Sequence, residues 1–355
     1  MAAIDFRSNY KVPKVPEVLQ QEPLLATLYL KSHTTVELAE EDPNYLYLKN
    51  PEHSFEESVV FLKDIRAILA FEPFEIKPTA LGQLLRSQVP IILFAESGEY
   101  LGRIEPSYTT RPDLIKAQAL MTDEQKLHLT QIVVWGALRR CRRFLLKAGR
   151  ERTIPPVAKA ADTMQLSIDA IFNCTSIECV QGHLGQALLA YYPALFKGLS
   201  TPGWEYDVRS SNKPLNRMLN FTYNLLHEFV KSAIYAVGLN PMQGHWHKSH
   251  HSREALVEDI SFQFKPYVDT VVIRILNLNQ VALKDFDNEW WESKSLPPKV
   301  VRVIMNSFER KMNEKFTYPG TTIKCSYQEA IYLQTKFLAL YLTGQCEYYC
   351  PLDLK

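Results

Sequence analysis

The chain has 355 residues, of which 22% are charged and 46% hydrophobic, and its 40 Lys and Arg against 39 Asp and Glu leave a formal net charge of +1. This is ordinary soluble composition with room for two domains, and it excludes a globally basic nucleic-acid binder, so any contact with phosphates has to come from a local patch. No apolar run approaches a bilayer span and the opening MAAIDFRSNYKVPKVPEV lacks a signal-peptide core, so no membrane is expected and a cytoplasmic location is.

Residues 1–22 are rich in Pro and charge and read as an extended lead-in. From 23 to 106 the period is that of strands: LLATLYL, TTVELAE, YLYLK, VVFLKD, AILAFE and FEIK, then a short helix in KPTALGQLLRSQ, a buried strand in PIILFA, a turn at ESGEY and a last strand in LGRIEP. A polar linker at Ser107 to Arg111 sets the boundary, and from 112 to 355 the pattern is helical. The fold class is therefore α+β, a β-rich amino-terminal domain followed by a larger all-α domain.

A long helix runs from Asp123 past Leu146 and carries RRCRRFLLK. Arg139, Arg140, Arg142, Arg143 and Lys147, with Arg150 and Arg152, place seven cations in fourteen residues. One helix dipole does not require so many, and phosphate contact is the sharper reading beside that of a solvated helix end. Asp162 to Phe196 reads as one or two helices. Leu215 to Val237 is an amphipathic helix with apolar residues at three and four, closed by Gly238 ahead of Asn240-Pro241. The histidine-rich loop GHWHKSHHS follows, with a helix from near Ser252 that continues through Lys265 to Leu278. Asp285 to Pro298 reads as a loop holding Trp290 and Trp291; Lys299 to Lys315 and Tyr327 to Leu342 are further helices. The six cysteines form no C-x-x-C pair, so reduced, mostly buried thiols are expected.

Asn216, Leu219 to Tyr223, the GLNP at Gly238 to Pro241, His247, Leu256, Asp259, Phe264 to Pro266 and Asp269 stand in an order that closely resembles the CRISPR-associated protein one family. The similarity extends from the end of the β-rich domain to the closing EYYCPLDLK. It implies a metal-dependent DNA endonuclease and integrase of CRISPR spacer acquisition, working with Mg²⁺ or Mn²⁺. It also implies a homodimer formed through the β-rich domains that meets CRISPR-associated protein two. The family's metal ligands are a Glu within Gly-x-Glu-Gly, a His, and the second acid of an Asp-x-x-Glu/Asp pair. His247 and Asp259 match, but Leu184 and Phe262 stand at the two ligand carboxylates.

Hard divalent ions want oxygen donors, so a His with one Asp should hold such a metal weakly or not at all. Glu178, Glu254 and Glu258 are the nearby acids that could substitute, and otherwise read as solvated surface. The loop histidines His245, His247, His250 and His251, with His183, are a weaker signal for a borderline metal, and Trp246 reads as a core or interface anchor. Three functions remain open: a DNA-binding adaptation protein with impaired catalysis, an active nuclease and integrase with substitute ligands, and a scaffold paired with a competent relative.

Overall fold

The computed structural model describes residues 25–30, 33–51, 58–96, 98–107, 111–151, 155–199, 203–207, 212–248, 254–286 and 296–352, with Pro16 and Leu19. The rest of the lead-in, most of the linker, His250, His251, Arg152, the Arg150 side chain and the Trp290-Trp291 pair lie outside the described residues.

The strands are β1 (Ala26–Leu30), β2 (Thr35–Leu38), β3 (Tyr45–Lys49), β4 (Ser58–Phe61), β5 (Ile65–Phe71) and β6 (Glu75–Ile76), then α1 (Pro78–Arg86), β7 (Ile91–Phe94) and β8 (Tyr100–Ile104). They form two four-stranded sheets, β1-β5-β7-β8 and β4-β3-β2-β6. In the first, β5 is parallel to β1 and β7, while β8 runs antiparallel to β7. All seven residues of β5 are buried because both of its faces are covered, which is why IRAILAF reads as a continuous run and not as an alternation. Ile68 and Ala70 face a core shared with Leu46, Ala80 and Leu84, whereas Ala67, Leu69 and Phe71 face the helices. The sheet is thus the wall between two cores.

The helices are α2 (Pro112–Ala119), α3 (Asp123–Glu151), α4 (Pro155–Ala170), α5 (Ile177–Leu199), α6 (Pro214–Val237), α7 (Ala255–Ser261), α8 (Lys265–Asn277), α9 (Pro298–Asn313) and α10 (Tyr327–Leu342). A small hairpin, β9 (Lys315–Thr317) with antiparallel β10 (Lys324–Ser326), interrupts them between α9 and α10. Helix α6 lies at the centre, with sixteen of its residues buried. Gly238 ends it in the left-handed conformation at φ 89°, as its place in the sequence predicts, and a Cβ there would lie 2.6 Å from Arg111 Cγ. Arg103 on β8 ties the sheet to α6 through Glu228 at 2.9 Å. No described helix is long and apolar enough to cross a membrane.

Two expectations are corrected. The helix expected to continue into Lys265 is broken by a turn at Phe262–Phe264, because Pro266 has no N–H to give to a preceding turn and fits only the first turn of a new helix. The cysteines are not all free thiols either. Cys174 and Cys179 are joined, since the turn leading into α5 brings their Cα atoms to 5.5 Å, while Cys141, Cys325, Cys346 and Cys350 take no part in a disulfide.

Candidate functional site: two cavities flanking Lys265-Pro266

After Gly238 the chain turns over α7, and Asp259 holds that turn. Its carboxylate is fully buried and accepts from three consecutive backbone N–H groups, those of His245 at 2.5 Å, Trp246 at 3.3 Å and His247 at 3.1 Å. His247 Nδ1 lies 2.6 Å from the same carboxylate and His245 Nδ1 3.0 Å. Burial would push this acid up, but the two imidazoles and their hydrogen bonds outweigh it and hold the carboxyl down to about 2. Gly244 is required beside it, because a Cβ there would sit 2.5 Å from Asp259 Oδ2. The outcome is a rigid loop that fixes the His247 ring through Nδ1 and leaves Nε2 as its other nitrogen.

His247 opens onto a cavity of about 950 Å³. Ile177, Glu178 and Gln181 of α5 line it, with Asn220, Tyr223, Asn224 and His227 of α6, Trp246, Lys248, Glu258 of α7 and Lys265 of α8. Leu184 and Phe262 do not line it. Both are buried in the helical core, which also takes in Trp246, and the Trp246 ring meets Phe262 edge-on at 5.2 Å and the His247 ring at 4.3 Å. Phe262 is thus brought beneath His247 with one tryptophan between them, and Leu184 lies one turn past Gln181. Trp246 is the core anchor its type predicts.

The candidate substitute acids separate. Glu178 is exposed and lines the cavity. Glu258 also lines it, with Lys265 Nζ at 3.2 Å and His227 Nε2 at 3.6 Å. Burial holds His227 well below the ordinary imidazole value, so the charge that offsets the desolvation of Glu258 and keeps it ionised is that of Lys265. Glu254 precedes α7, pairs with Lys231 at 2.8 Å and is absent from the cavity lining. Glu254 and Glu258 are ion-paired, partly buried acids, which corrects their reading as solvated surface. Beneath the cavity, the fully buried Asp269 accepts from Tyr191 Oη at 2.9 Å and from Tyr223 Oη. Burial pushes its carboxyl up to about 7 in spite of both tyrosines.

His227 has no place among the sequence-based candidates. A signal for it existed: Asn220, Tyr223, Asn224 and His227 fall at i, i+3, i+4 and i+7, a polar stripe along an otherwise buried helix.

The basic cluster on α3 does not form one exposed face, which corrects its reading as a single phosphate-binding patch. Arg139 lies over the Trp135 ring at 4.3 Å, and Arg142 Nε donates to the Ala161 carbonyl of α4 at 3.0 Å. Arg140 is buried: Nη1 donates to the Gln263 carbonyl and the guanidinium lies 4.8 Å from the Tyr267 ring, while Nε and Nη2 find no hydrogen-bond partner among the described residues. Of the cluster's described side chains, Arg140, Arg143 and Lys147, at i, i+3 and i+7, line one cavity, and Arg139 and Arg142 do not line it. Lys311, Tyr267, Tyr318 and Tyr327 also line this second cavity of about 1010 Å³. It flanks Pro266 as the histidine cavity flanks Lys265.

The sequence matches the family described as CRISPR associated protein Cas1 over residues 30–310. A CRISPR-associated endonuclease Cas1 of Chlorobaculum tepidum is 25% identical over 308 residues, covering 83% of this chain and 90% of the relative. Among solved structures, a casposase bound to integration product superposes with a TM-score of 0.72 at 21% identity, over 93% of this chain and 95% of that one. A chain of a partial Cas6-RT-Cas1–Cas2 complex gives 0.67 at 17% identity, over 93% and 100%.

Proposed function

The chain belongs to the family of CRISPR associated protein Cas1, and from that premise we propose that it binds branched or double-stranded DNA during spacer acquisition with little or no cleavage or strand transfer of its own. The observation that carries this reading is the burial of Leu184 and Phe262 in the apolar core at the two positions where the family has ligand carboxylates. The donors that remain do not suit a hard divalent cation such as Mg²⁺ or Mn²⁺. Asp259 has both oxygens committed to the histidine loop and Glu258 is paired with Lys265, so Glu178 is the one other acid that the cavity wall offers among the described residues. Such a cation requires several oxygen ligands.

DNA contact is assigned to the cavity along α3. Arg143, Lys147 and Lys311 line it and supply the positive charge that a phosphate backbone requires. In the same reading residues 23–106 form the dimerisation domain and 112–355 the DNA-binding domain. Exposed Val59 on the edge strand β4 and Tyr45 on the neighbouring β3 offer an apolar surface for a second copy. A Cas2-type protein is the expected further partner, because the similar Cas6-RT-Cas1 protein forms a complex with one. The proposed location is the cytoplasm.

The test is an assay of binding, cleavage and strand transfer on branched DNA with Mg²⁺ and with Mn²⁺, each with and without chelator. Salt-sensitive binding without chelator-sensitive product is the expected result. Robust metal-dependent product would favour the reading in which Glu178 and Glu258, on the same cavity as His247, act as substitute ligands.

A further inference from the structure

A separate cluster of ligand-type side chains sits at the start of α5. Cys174, Cys179 and His183 each bring one donor atom within 4.8 Å of the other two. Two features of the chain place them. Cys179 and His183 are four residues apart on one face of α5, and Cys174 is delivered by the 3-10 turn Ile171–Asn173 just before the helix. The turn is fixed from behind by the buried Gln131, whose Nε2 donates to the carbonyls of Ile171 at 3.3 Å and Cys174 at 2.9 Å. The entry to the helix is fixed from the front by Ser176, whose Oγ accepts from the Cys179 N–H at 3.2 Å. The donors are therefore held by groups that take no part in ligation. Neither cysteine nor His183 lines the cavity beneath His247.

We propose that with its thiols reduced this chain binds a thiophilic divalent cation, zinc foremost, through Cys174 Sγ, Cys179 Sγ and one ring nitrogen of His183, with water as the fourth ligand. Two sulfurs and an imidazole are a soft donor set, matched to zinc and poorly matched to magnesium or manganese. In a tetrahedral zinc site with bonds of about 2.0 to 2.3 Å, donor atoms stand roughly 3.3 to 3.8 Å apart, a spacing the two sulfurs can take once the disulfide that joins them is opened. Cys179 is exposed and His183 partly so, leaving a way for a cation to enter. Binding releases two protons: two thiols and Zn²⁺ give a dithiolate complex and two H⁺. The Cys174–Cys179 disulfide is the metal-free state. A dithiol or phosphine reductant supplies the two electrons that open it, and a small-molecule disulfide such as oxidised glutathione takes them back while itself becoming two thiols.

The experiment uses the full chain. Protein reduced by a phosphine and protein oxidised with glutathione disulfide are each equilibrated with zinc, desalted and measured for bound metal. Cobalt(II) titration in parallel reports thiolate ligation by its sulfur-to-cobalt absorption. Stoichiometric zinc and the sulfur band are expected in the reduced protein only, with both lost in the Cys174→Ser/Cys179→Ser variant. His183→Ala should keep the band and weaken zinc by at least about tenfold. Zinc should also raise the melting temperature of the reduced wild type and leave that of the double serine variant unmoved. Equal zinc in the reduced and oxidised wild type, a comparison that depends on no variant folding, would overturn the site. So would zinc without a sulfur band.

Discussion

The two cavities on either side of Lys265-Pro266 differ in what their charged groups are free to do. Around the histidine cavity several charges are answered from within the chain: Asp259 by the loop it clamps and Glu258 by Lys265, while burial raises the Asp269 carboxyl beneath it. In the cavity along α3, Arg140 keeps two guanidinium nitrogens without a partner among the described residues, and Arg143 and Lys147 stand beside it. In the first cavity the charges hold the chain's own loop in place; in the second, basic and aromatic side chains line the wall together. Leu184 and Phe262 belong to the helical core, and the loop beside them is held by the Asp259 carboxylate.

The comparison breaks most visibly at the clamp. Asp259→Ala leaves three buried N–H groups and two imidazoles without their acceptor, so a loss of about 3–5 kcal/mol in urea unfolding is expected, with the His247 loop becoming accessible to protease. A change below about 1 kcal/mol would mean the loop has another support.

Asp269 should show the opposite electrostatics. Its folded carboxyl lies at about 7 against an ordinary 3.8, so the folded state holds a proton that the unfolded state has lost. Stability from this group is fully present below about pH 4 and declines as pH rises to about 7, by a few kcal/mol at most. Asp269→Asn keeps the neutral shape and should remove that part of the pH slope in denaturant melts; an unchanged slope would place the titration elsewhere.

The smaller effect concerns the cavity along α3. Arg143→Ala with Lys147→Ala should weaken DNA binding about tenfold and flatten the salt dependence, while Arg139→Ala and Arg142→Ala, whose side chains are turned to Trp135 and Ala161, should change it by less than about threefold. Equal losses from the two pairs would restore the picture of one continuous basic patch.

How far these features were legible in the sequence follows from their range. Helix α6 and its Gly238 stop are local, and the expected Leu215 to Val237 differs from the observed span by one residue. The strands of the amino-terminal domain were legible from their punctuation, while the parallel pairing of β5 with β1 and β7 was not, because pairing joins distant segments. The density of cations on α3 was visible, but at roughly 100° per residue consecutive arginines diverge, and the i, i+3, i+7 subset is what lines the cavity. The clamp at Asp259 was legible as a family position and not as a structural role, since its three backbone donors come from a loop twelve to fourteen residues away. The joined cysteines escaped a search for C-x-x-C because a 3-10 turn, not a short spacing, brings them together.

The proposed loss of catalysis is tested most directly by strand transfer on branched DNA with Mn²⁺, comparing wild type with Leu184→Glu/Phe262→Glu, and by melting each protein against Mn²⁺ beforehand to verify folding. Two acids placed in the apolar core should cost several kcal/mol without metal and regain part of it when Mn²⁺ binds. The expected result is no chelator-sensitive product from the wild type, with Mn²⁺-dependent stabilisation and product in the double variant and neither in the single variants. Chelator-sensitive strand transfer by the wild type, abolished by Glu258→Gln or Glu178→Gln, would contradict the account.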